Sequence, residues 1–264
     1  MQLTHPTSQL LKLFNQPHLE FVVQAMIEGN SPAMVWMDDA GETALIWDKS
    51  HCLYLAGKLH HPRLQETITT ALLPLACPFH LLKISLTSDE QAGNIPLLFP
   101  ECRQETYPRS LFRLHPSTVN RTAFEAPDGF QTQLIDHALL DDTQRPGHTN
   151  LVEEIELCWV SLDRFLENGF GVCVLDEAGT IVCRCTAEYV SPQVCGVGIA
   201  TYEPVMRRGL ATAAAQAFVQ QAAERNWTVY WDSWTSNLPS VRVAQKVGFE
   251  LVTNYNAVLI FFNN

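Results

Sequence analysis

Two spacings of hydrophobic and polar residues alternate along the first half of the chain. Apolar residues between Leu10 and Met26 recur at helical spacing, and residues 61–76 repeat that spacing. Between these segments, residues 32–57 form short apolar runs separated by Asp-Asp-Ala-Gly and Asp-Lys-Ser, a pattern typical of a β-meander. A further apolar run at 79–88 predicts a strand. The first half is therefore predicted to be a mixed α and β domain.

The second half shows a more regular order of elements. Residues 150–169 have an apolar face at helical spacing, and residues 170–190 predict two strands around a Glu-Ala-Gly turn. A third strand over 193–204 leads into a long alanine-rich helix, which is followed by a strand, a short helix and two closing strands. The β–α–β passage over 193–234 adds a parallel step to a mostly antiparallel sheet. The predicted fold class is α+β, with a mixed sheet flanked by helices.

A polar, turn-rich stretch separates the two halves. Residues 118–133 lack a sustained apolar period and contain the turn-forming sequence Pro-Asp-Gly. We place a domain boundary within this stretch, so that residues 1–125 form a smaller N-terminal domain and residues 126–264 form the second domain. No repeat at short period is visible along the chain.

Composition narrows the classes of protein and partner. The chain has 264 residues, of which 47% are hydrophobic and 17% charged, which suits a soluble globular protein. The formal net charge of −11 argues against nucleic acid as a partner, because phosphate binding needs clustered Lys and Arg. No run reaches the roughly 18 apolar residues of a membrane span, and the N-terminus lacks a signal-peptide pattern. We therefore expect a cytoplasmic protein without a membrane partner. The oligomeric state stays open.

The eight cysteines are expected to be reduced and mostly buried. None of them forms a CxxC pair, and Cys183 and Cys185 would point to the same face of one predicted strand. Zinc ligands usually lie on turns with two to four residues between them, so we expect no metal site here. The paired His60 and His61 beside Pro62 are likewise expected to be solvated loop residues.

The start of the long alanine-rich helix has an unusual composition. Arg207 and Arg208 precede Gly209, and no Ser, Thr, Asp or Asn stands in the capping position. A helix start carries unpaired N–H groups and a partial positive charge, and glycine lets a phosphate approach the backbone. Leu210 can anchor the turn in the core, and Ala211 keeps the first helical turn slim. The stretch indicates an anion site or, equally, an ordinary helix start flanked by arginines.

The surrounding sequence resembles the GNAT superfamily of acyl-CoA-dependent N-acetyltransferases over about residues 128–262. The turn motif of that family, Gln/Arg-x-x-Gly-x-Gly/Ala, corresponds to Met206-Arg207-Arg208-Gly209-Leu210-Ala211. A second signature corresponds to Asn237, Ser240 and Val247-Gly248-Phe249. The sequence YWDSWTSNLPS further resembles a subgroup that carries an extra N-terminal α/β domain.

This resemblance implies a set of cofactor contacts in the second domain. Acetyl-CoA would be the co-substrate, and no metal would be needed. The two strands before and after the long helix would part near Gly198 to Ala200, and pantetheine would lie in the gap. The implied cofactor-binding residues are Ile199, Thr201, Arg207, Arg208, Gly209, Leu210, Ala211, Asn237 and Ser240, with the amides of 207–211 holding the pyrophosphate.

The chemistry requires a proton acceptor and a hydrogen-bond donor. The acceptor would be an amine-bearing small molecule or peptide, and its ammonium must lose a proton before it attacks the thioester. Our candidates for the base are Asp232, flanked by Trp231 and Trp234, and Glu203. Glu188 is a weaker candidate. Ser240 could donate to the anionic intermediate, and Ser233 is a second possible donor.

The sequence also departs from the family in two places. No Glu stands near Cys195 or Gly196, where related proteins often carry a base, and no Tyr stands in the segment Ala244-Gln245-Lys246. Three functions stay open at this point. They are an active N-acetyltransferase, a catalytically weak or inactive acyl-CoA-binding sensor, and a structural or interaction protein.

Overall fold

The computed structural model describes residues 1–120 and 126–262. Contacts between residues divide the chain into two compact units. The first unit contains residues 1–109 and 254–264, and the second contains residues 110–253. The predicted boundary between residues 125 and 126 adjoins residues 121–125, which lie outside the described residues. The C-terminal segment joins the first unit because its last strand pairs with a strand of that unit.

The described strands and helices follow one another in mixed order along the chain. The strands are β1 (Gln2–Thr4), β2 (Met34–Met37), β3 (Ala44–Trp47), β4 (Cys52–Ala56), β5 (Leu81–Leu86), β6 (Arg103–Leu114), β7 (Phe130–Leu134), β8 (Gly171–Asp176), β9 (Ile181–Ser191), β10 (Val194–Thr201), β11 (Thr228–Trp234) and β12 (Glu250–Phe261). The α-helices are α1 (Leu10–Leu13), α2 (Pro17–Ile27), α3 (Pro62–Thr67), α4 (Leu73–Ala76), α5 (Ile95–Leu98), α6 (His137–Asp141), α7 (His148–Cys158), α8 (Leu162–Asn168), α9 (Leu210–Glu224) and α10 (Leu238–Val247).

The first unit is built on strands in the order β1-β2-β3-β4-β5-β12. The predicted meander forms, because β2, β3 and β4 pair antiparallel in succession. β4 and β5 run parallel, and the end of β12 pairs antiparallel with β5. Every residue of β3 and β4 is buried, as expected for strands covered on both faces.

The second unit carries strands in the order β6-β11-β10-β9-β8-β7. β7, β8, β9 and β10 pair antiparallel in succession, and β10 and β11 run parallel. The turn at Asp176–Thr180 joins β8 to β9 as predicted, and the Asp176 carboxylate accepts from the N–H groups of Ala178 and Thr180. The mixed, mostly antiparallel sheet with flanking helices confirms the predicted fold class.

The two units repeat one order of elements. Along the chain, the segments β1–β6 and β7–β12 each run in the order strand, helical segment, three successive antiparallel strands, helix, strand parallel to the one before that helix, further helix and final strand, and each final strand lies in the sheet order of the other unit. In the first unit the parallel step is β4 to β5, and in the second it is β10 to β11. The repeat is one of topology, which a search for short sequence periods does not detect.

The structure corrects the sequence-based elements in three places. The predicted first helix is two helices, because Pro17 begins α2 after a break at residues 14–16. The predicted helix over 150–169 is also two helices, and the Ser161 hydroxyl accepts from the Arg164 N–H to start α8. The two predicted closing strands are one strand, β12, because Asn254 and Asn256 continue the extended backbone.

Most of the cysteines are buried, as the sequence predicts. Cys52, Cys173, Cys183, Cys185 and Cys195 are buried, Cys102 and Cys158 are half-buried, and Cys77 is exposed. Burial raises the pKa of the Cys173 thiol to about 12 and that of Cys183 to about 11. The described part of the chain holds no group of three or more His, Cys, Asp or Glu side chains arranged to bind a metal. Among the described helices, none is long and apolar enough to cross a membrane.

We predict that a short pulse of iodoacetamide at pH 8 alkylates Cys77 first. Cys173 and Cys183 should react far more slowly, because the thiolate is the reactive form and burial both covers these thiols and raises their pKa. Peptide mass spectrometry over a time course measures the order of labelling. Labelling of Cys173 as fast as Cys77 in the folded protein would contradict the packing described here. The urea-unfolded chain, in which all eight cysteines should react, is the control.

Candidate functional site

The turn before α9 is open and has a left-handed backbone. Gly209 occupies the position before the helix with a φ of 84°, and Arg207 has a φ of 65°. Arg207, Arg208 and Gly209 are exposed. Among the described residues, a Cβ built on Gly209 would come within 4 Å of one atom, the Cγ of Pro127, at 3.9 Å. The glycine therefore satisfies the backbone conformation and leaves clear space in front of the helix.

The first N–H groups of α9 lack acceptors in the described chain. No side chain caps the helix, and the first hydrogen bond of the helix runs from Ala213 N–H to the Gly209 carbonyl. Within residues 1–120 and 126–262, the N–H groups of Arg207 to Thr212 have no hydrogen-bond acceptor. Unpaired donors at an exposed helix start favour an anion, and the two arginines add positive charge beside them.

α9 is fixed behind this turn by a core of small and aromatic side chains. Leu210 is 1% exposed, and Ala214 and Phe218 are fully buried. Leu210 therefore anchors the turn inward, as the sequence predicts. Phe218 stacks on Phe170 with ring centroids 4.5 Å apart. The exposed amides stand on a helix that cannot shift without opening this core.

The parallel pairing of β10 and β11 is short. It joins Val194 to Thr228, Cys195 to Val229, and Gly196 to Tyr230. In the described part of the chain, the ladder stops there, although β10 continues to Thr201 and β11 to Trp234. The strands therefore part beyond the Gly196–Tyr230 pair, two residues before Gly198.

The backbone of β10 directs alternate residues to the open edge. The Tyr202 N–H donates to the Val182 carbonyl, so the backbone groups of Ala200 and Gly198 also point toward β9. Those of Ile199 and Thr201 then point to the opposite edge, where β11 has separated. The open edge at Ile199 and Thr201 therefore directly precedes, along the chain, the segment that leads into the turn at 207–211.

The first unit provides an internal comparison. Its parallel pair β4 and β5 stays joined over four of the five residues of β4. The helix that follows β4 begins with Pro62, which has no N–H, and the His61 side chain accepts from the Arg63 N–H. In the first unit the parallel strands stay paired and the helix start is capped. In the second unit the corresponding strands part and the helix start is uncapped.

Asn237 and Ser240 lie at the start of α10, as predicted, and both make structural hydrogen bonds. Asn237 Oδ1 accepts from the Ser240 N–H at 3.3 Å, so this side chain caps α10. Ser240 Oγ accepts from the Trp231 indole N–H at 3.0 Å. The hydroxyl of Ser240 retains its own proton for donation, while the capping oxygen of Asn237 is already engaged.

Asp232 and Glu203 lie in different surroundings. Asp232 is half-buried on β11, and Trp231 next to it is 2% exposed in the core. Because neighbours on a strand point to opposite faces, Trp231 faces away from the Asp232 carboxylate, and only Trp234 shares its face. This corrects the expectation that two tryptophans flank the carboxylate. Glu203 is exposed and lies two residues after the end of β10.

A buried charged network, which no sequence pattern reveals, lies on the face of β9 that carries Glu188. Arg184, 7% exposed, lies 2.7 Å from the Glu154 carboxylate of α7 and donates from Nε to the Tyr202 hydroxyl at 3.1 Å. Burial lowers the pKa of Arg184, but Glu154 and Tyr202 outweigh it, so the pKa is raised. Because Tyr202 follows β10 directly, this network holds the strand end that leads into the turn.

A cavity of about 400 Å³ lies elsewhere in the second unit. It is lined by Arg113, His115, Thr118, Val194, Thr228, Tyr230 and Glu250. Val194 and Thr228 begin β10 and β11, whereas the turn at 207–211 follows the other end of β10. The cavity is therefore distant along the strands from the exposed amides.

Comparison with known proteins identifies the family of the chain. A family model described as GNAT acetyltransferase matches residues 11–258. This chain belongs to the GNAT acetyltransferase family. The match includes β10, the turn, α9 and β11, and family membership makes the protein an acyltransferase. The family uses acetyl-CoA as its co-substrate.

Relatives of this GNAT protein resemble it along nearly its whole length. The uncharacterized N-acetyltransferase YdfB of Bacillus subtilis (strain 168) is 24% identical over 253 residues, covering 94% of this chain and 93% of that protein. A GCN5-related N-acetyltransferase-like protein from Streptococcus suis 89/1591 has a TM-score of 0.69 at 20% identity, covering 96% and 97% of the two chains.

A third protein is similar in fold along the whole chain. A tandem GNAT protein from the clavulanic acid biosynthesis pathway has a TM-score of 0.58 at 11% identity, over 99% of this chain and 98% of that one. Because the two solved structures are only 20% and 11% identical to this chain, their similarity shows the fold alone. The shared fold extends over both units.

We predict that Glu154→Gln lowers the free energy of unfolding by about 2–3 kcal/mol, below the upper range for fully buried pairs because Glu154 stays 28% exposed. The substitution leaves the buried Arg184 guanidinium without its carboxylate. Urea unfolding measures the loss, and Glu153→Gln, an exposed neighbour on α7, is the control. Adding Arg184→Met should restore part of the stability. An unchanged midpoint for Glu154→Gln would show that the ion pair contributes nothing.

Proposed function

We propose that this GNAT protein is an N-acetyltransferase that transfers the acetyl group of acetyl-CoA to a primary amine of a small molecule or peptide. The observation that carries the proposal is the open edge of β10 ending at an uncapped, exposed helix start. A ligand with a chain of amides attached to a diphosphate is complementary to both features. Coenzyme A has these two parts in that order.

In this proposal the pyrophosphate lies on the turn before α9. The amides of Arg207, Arg208, Gly209, Leu210 and Ala211 donate to phosphate oxygens, which approach closely at Gly209 because no side chain intervenes. The exposed Arg207 and Arg208 add charge-assisted contacts at the mouth. Met206, which is 50% exposed, offers no polar contact in this place, so the amides carry the binding.

The pantetheine arm then adds to β10 as an extra strand. Its amides would pair with the backbone groups of Ile199 and Thr201, which point to the edge that β11 has left. This places the thioester further along the gap. Asn237 and Ser240 at the start of α10 are proposed to lie beside it, with the Ser240 hydroxyl as donor to the anionic intermediate.

The reaction is proposed to be a direct attack without a covalent enzyme intermediate. An ammonium loses a proton to a carboxylate, and the neutral amine attacks the thioester carbon. Coenzyme A leaves as a thiolate, so alignment of the two substrates supplies much of the acceleration. The candidate carboxylates for this step are Asp232 and Glu203, and Glu188 is a third candidate.

An acyl-CoA-binding sensor is the second candidate function. It is favoured by the absence of a Glu at Cys195 or Gly196 and of a Tyr in residues 244–246, positions that serve proton transfer in related proteins. Such a protein would bind acetyl-CoA as proposed above but would not release thiol with any amine. Binding and turnover must therefore be measured separately.

We predict that Gly209→Glu weakens coenzyme A binding at least 100-fold, because the carboxylate would enter the phosphate position and repel it. Isothermal titration calorimetry with coenzyme A measures the affinity. Gly29→Glu is the matched control, because Gly29 also has a positive φ, 71°, with nothing within 4 Å of a built Cβ. Gly209→Ala should fall between the two, since it adds backbone strain but no charge. Wild-type affinity in a folded Gly209→Glu protein would exclude this turn as the site.

We also predict thiol release from acetyl-CoA by the wild-type protein with at least one member of a panel of primary amines. The panel contains spermidine, tyramine, glycinamide, glucosamine and a lysine-containing peptide. Mass spectrometry of the products must show an acetylated amine, and Gly209→Glu must abolish the release. Tight acetyl-CoA binding without release from any amine would favour the sensor over the enzyme.

A further inference from the structure

Glu188 lies against a glycine at the edge of the gap. A Cβ built on Gly198 would lie 2.6 Å from Cδ of Glu188 and closer still to its Oε1. The φ of Gly198 lies outside the left-handed region, so the backbone does not require glycine here. The glycine is required by the carboxylate, which occupies the space that any side chain at 198 would fill.

The register explains how a side chain of β9 reaches the gap. Glu188 pairs with Gly196, and Thr186 pairs with Gly198, so these four residues share one face of the sheet. Gly196 is the last residue of β10 that pairs with β11. A carboxylate that extends from β9 over Gly198 therefore crosses β10 at the first part of the strand that is free of β11.

The same face continues onto β11. Because Gly196 pairs with Tyr230 in parallel register, Tyr230 and Asp232 point to the face that carries Glu188. The other charged group on this face of β9 is Arg184, four residues from Glu188 and engaged with Glu154. The Glu188 carboxylate is half-buried.

We infer that Glu188 is the carboxylate that takes the proton from the acceptor ammonium, and that Gly198 positions it. This inference rests on the proposed function, because the thioester is placed by pantetheine bound at Ile199 and Thr201. Gly198 directly precedes Ile199, so the carboxylate lies over the strand to which the reacting arm binds. Glu203, by contrast, is exposed beyond the end of β10, and Asp232 lies on the far side of the gap.

The step balances in protons and electrons with the ammonium, the Glu188 carboxylate, the thioester and water. The ammonium N–H bond breaks, and its proton moves to the Glu188 carboxylate. The nitrogen lone pair forms the N–C bond to the thioester carbon, and the C–S bond breaks with its electron pair on sulfur. The nitrogen then loses a second proton, the thiolate gains one, and one proton is released to water.

The test compares two nucleophiles in the full-length protein. The first nucleophile is the best of spermidine, tyramine and the lysine-containing peptide, which are ammonium ions at pH 7.5 and need a base, whereas hydroxylamine is already mostly neutral. We expect Glu188→Gln to lower kcat/KM about 100-fold or more with the panel amine, in the range of general-base catalysis. The hydroxylamine rate and the affinity for acetyl-CoA should change less than threefold. Glu177→Gln, an exposed carboxylate in the turn between β8 and β9, is the control.

Gly198→Ala tests the positioning role. It should displace the carboxylate and lower the panel-amine rate to a similar extent, yet add little when combined with Glu188→Gln, because residues that act as a unit are non-additive. Equal loss with both nucleophiles, an unchanged rate in Glu188→Gln, or a larger loss in Asp232→Asn would each overturn the role of Glu188. No thiol release by the wild-type protein would instead overturn the proposed function, and this inference with it.

Discussion

The short parallel ladder between β10 and β11 is the constraint on which the second unit depends. Three residue pairs hold the strands together, and the strands then part while α9 stays fixed by its buried face. Parting leaves backbone donors and acceptors of Ile199 and Thr201 unpaired by β11, and the uncapped helix start adds further free N–H groups. Unmade hydrogen bonds of this kind cost about 1–3 kcal/mol each when they are buried. Both sets of groups therefore have to stay accessible to solvent or to a ligand, and a single extended ligand can satisfy them together.

The first unit shows that this opening is not a requirement of the fold. It has the same order of elements and the same parallel step, but β4 and β5 stay paired, and His61 and Pro62 complete the helix start. The same order of elements can therefore form with the backbone groups at this place hydrogen-bonded within the protein. The second unit leaves them unsatisfied at the corresponding place, and structures retain such local costs where they serve binding or catalysis. The contrast within one chain argues for a function of the second unit more directly than the gap alone.

The sequence correctly predicted those features whose signals lie within a few neighbouring residues. The Glu-Ala-Gly turn of the β8–β9 hairpin and the anchoring Leu210 follow from turn chemistry and from apolar spacing. The predictions that were wrong concern features set by the face to which a strand residue points and by where a strand ends. Trp231 and Asp232 are adjacent in sequence but lie on opposite faces, and β12 runs through Asn256, the residue between the two predicted closing strands. The approach of Glu188 to Gly198 depends on how β9 pairs with β10, so no spacing in the sequence shows it.

The net charge of the protein has opposite effects on the two proposed substrates. The chain carries a net charge of −11, which repels an anionic co-substrate at long range and attracts a cationic amine. At about 0.15 M salt this field is screened beyond roughly 8 Å, so in the proposed site the capture of acetyl-CoA would depend on short-range contacts with the amides and arginines of the 207–211 turn. The amine needs no such cluster, because half-buried carboxylates on the sheet face lie within the region where screening is weakest. In the proposed reaction the cationic turn would therefore hold the anionic co-substrate, and the carboxylates of the sheet face would attract the cationic amine.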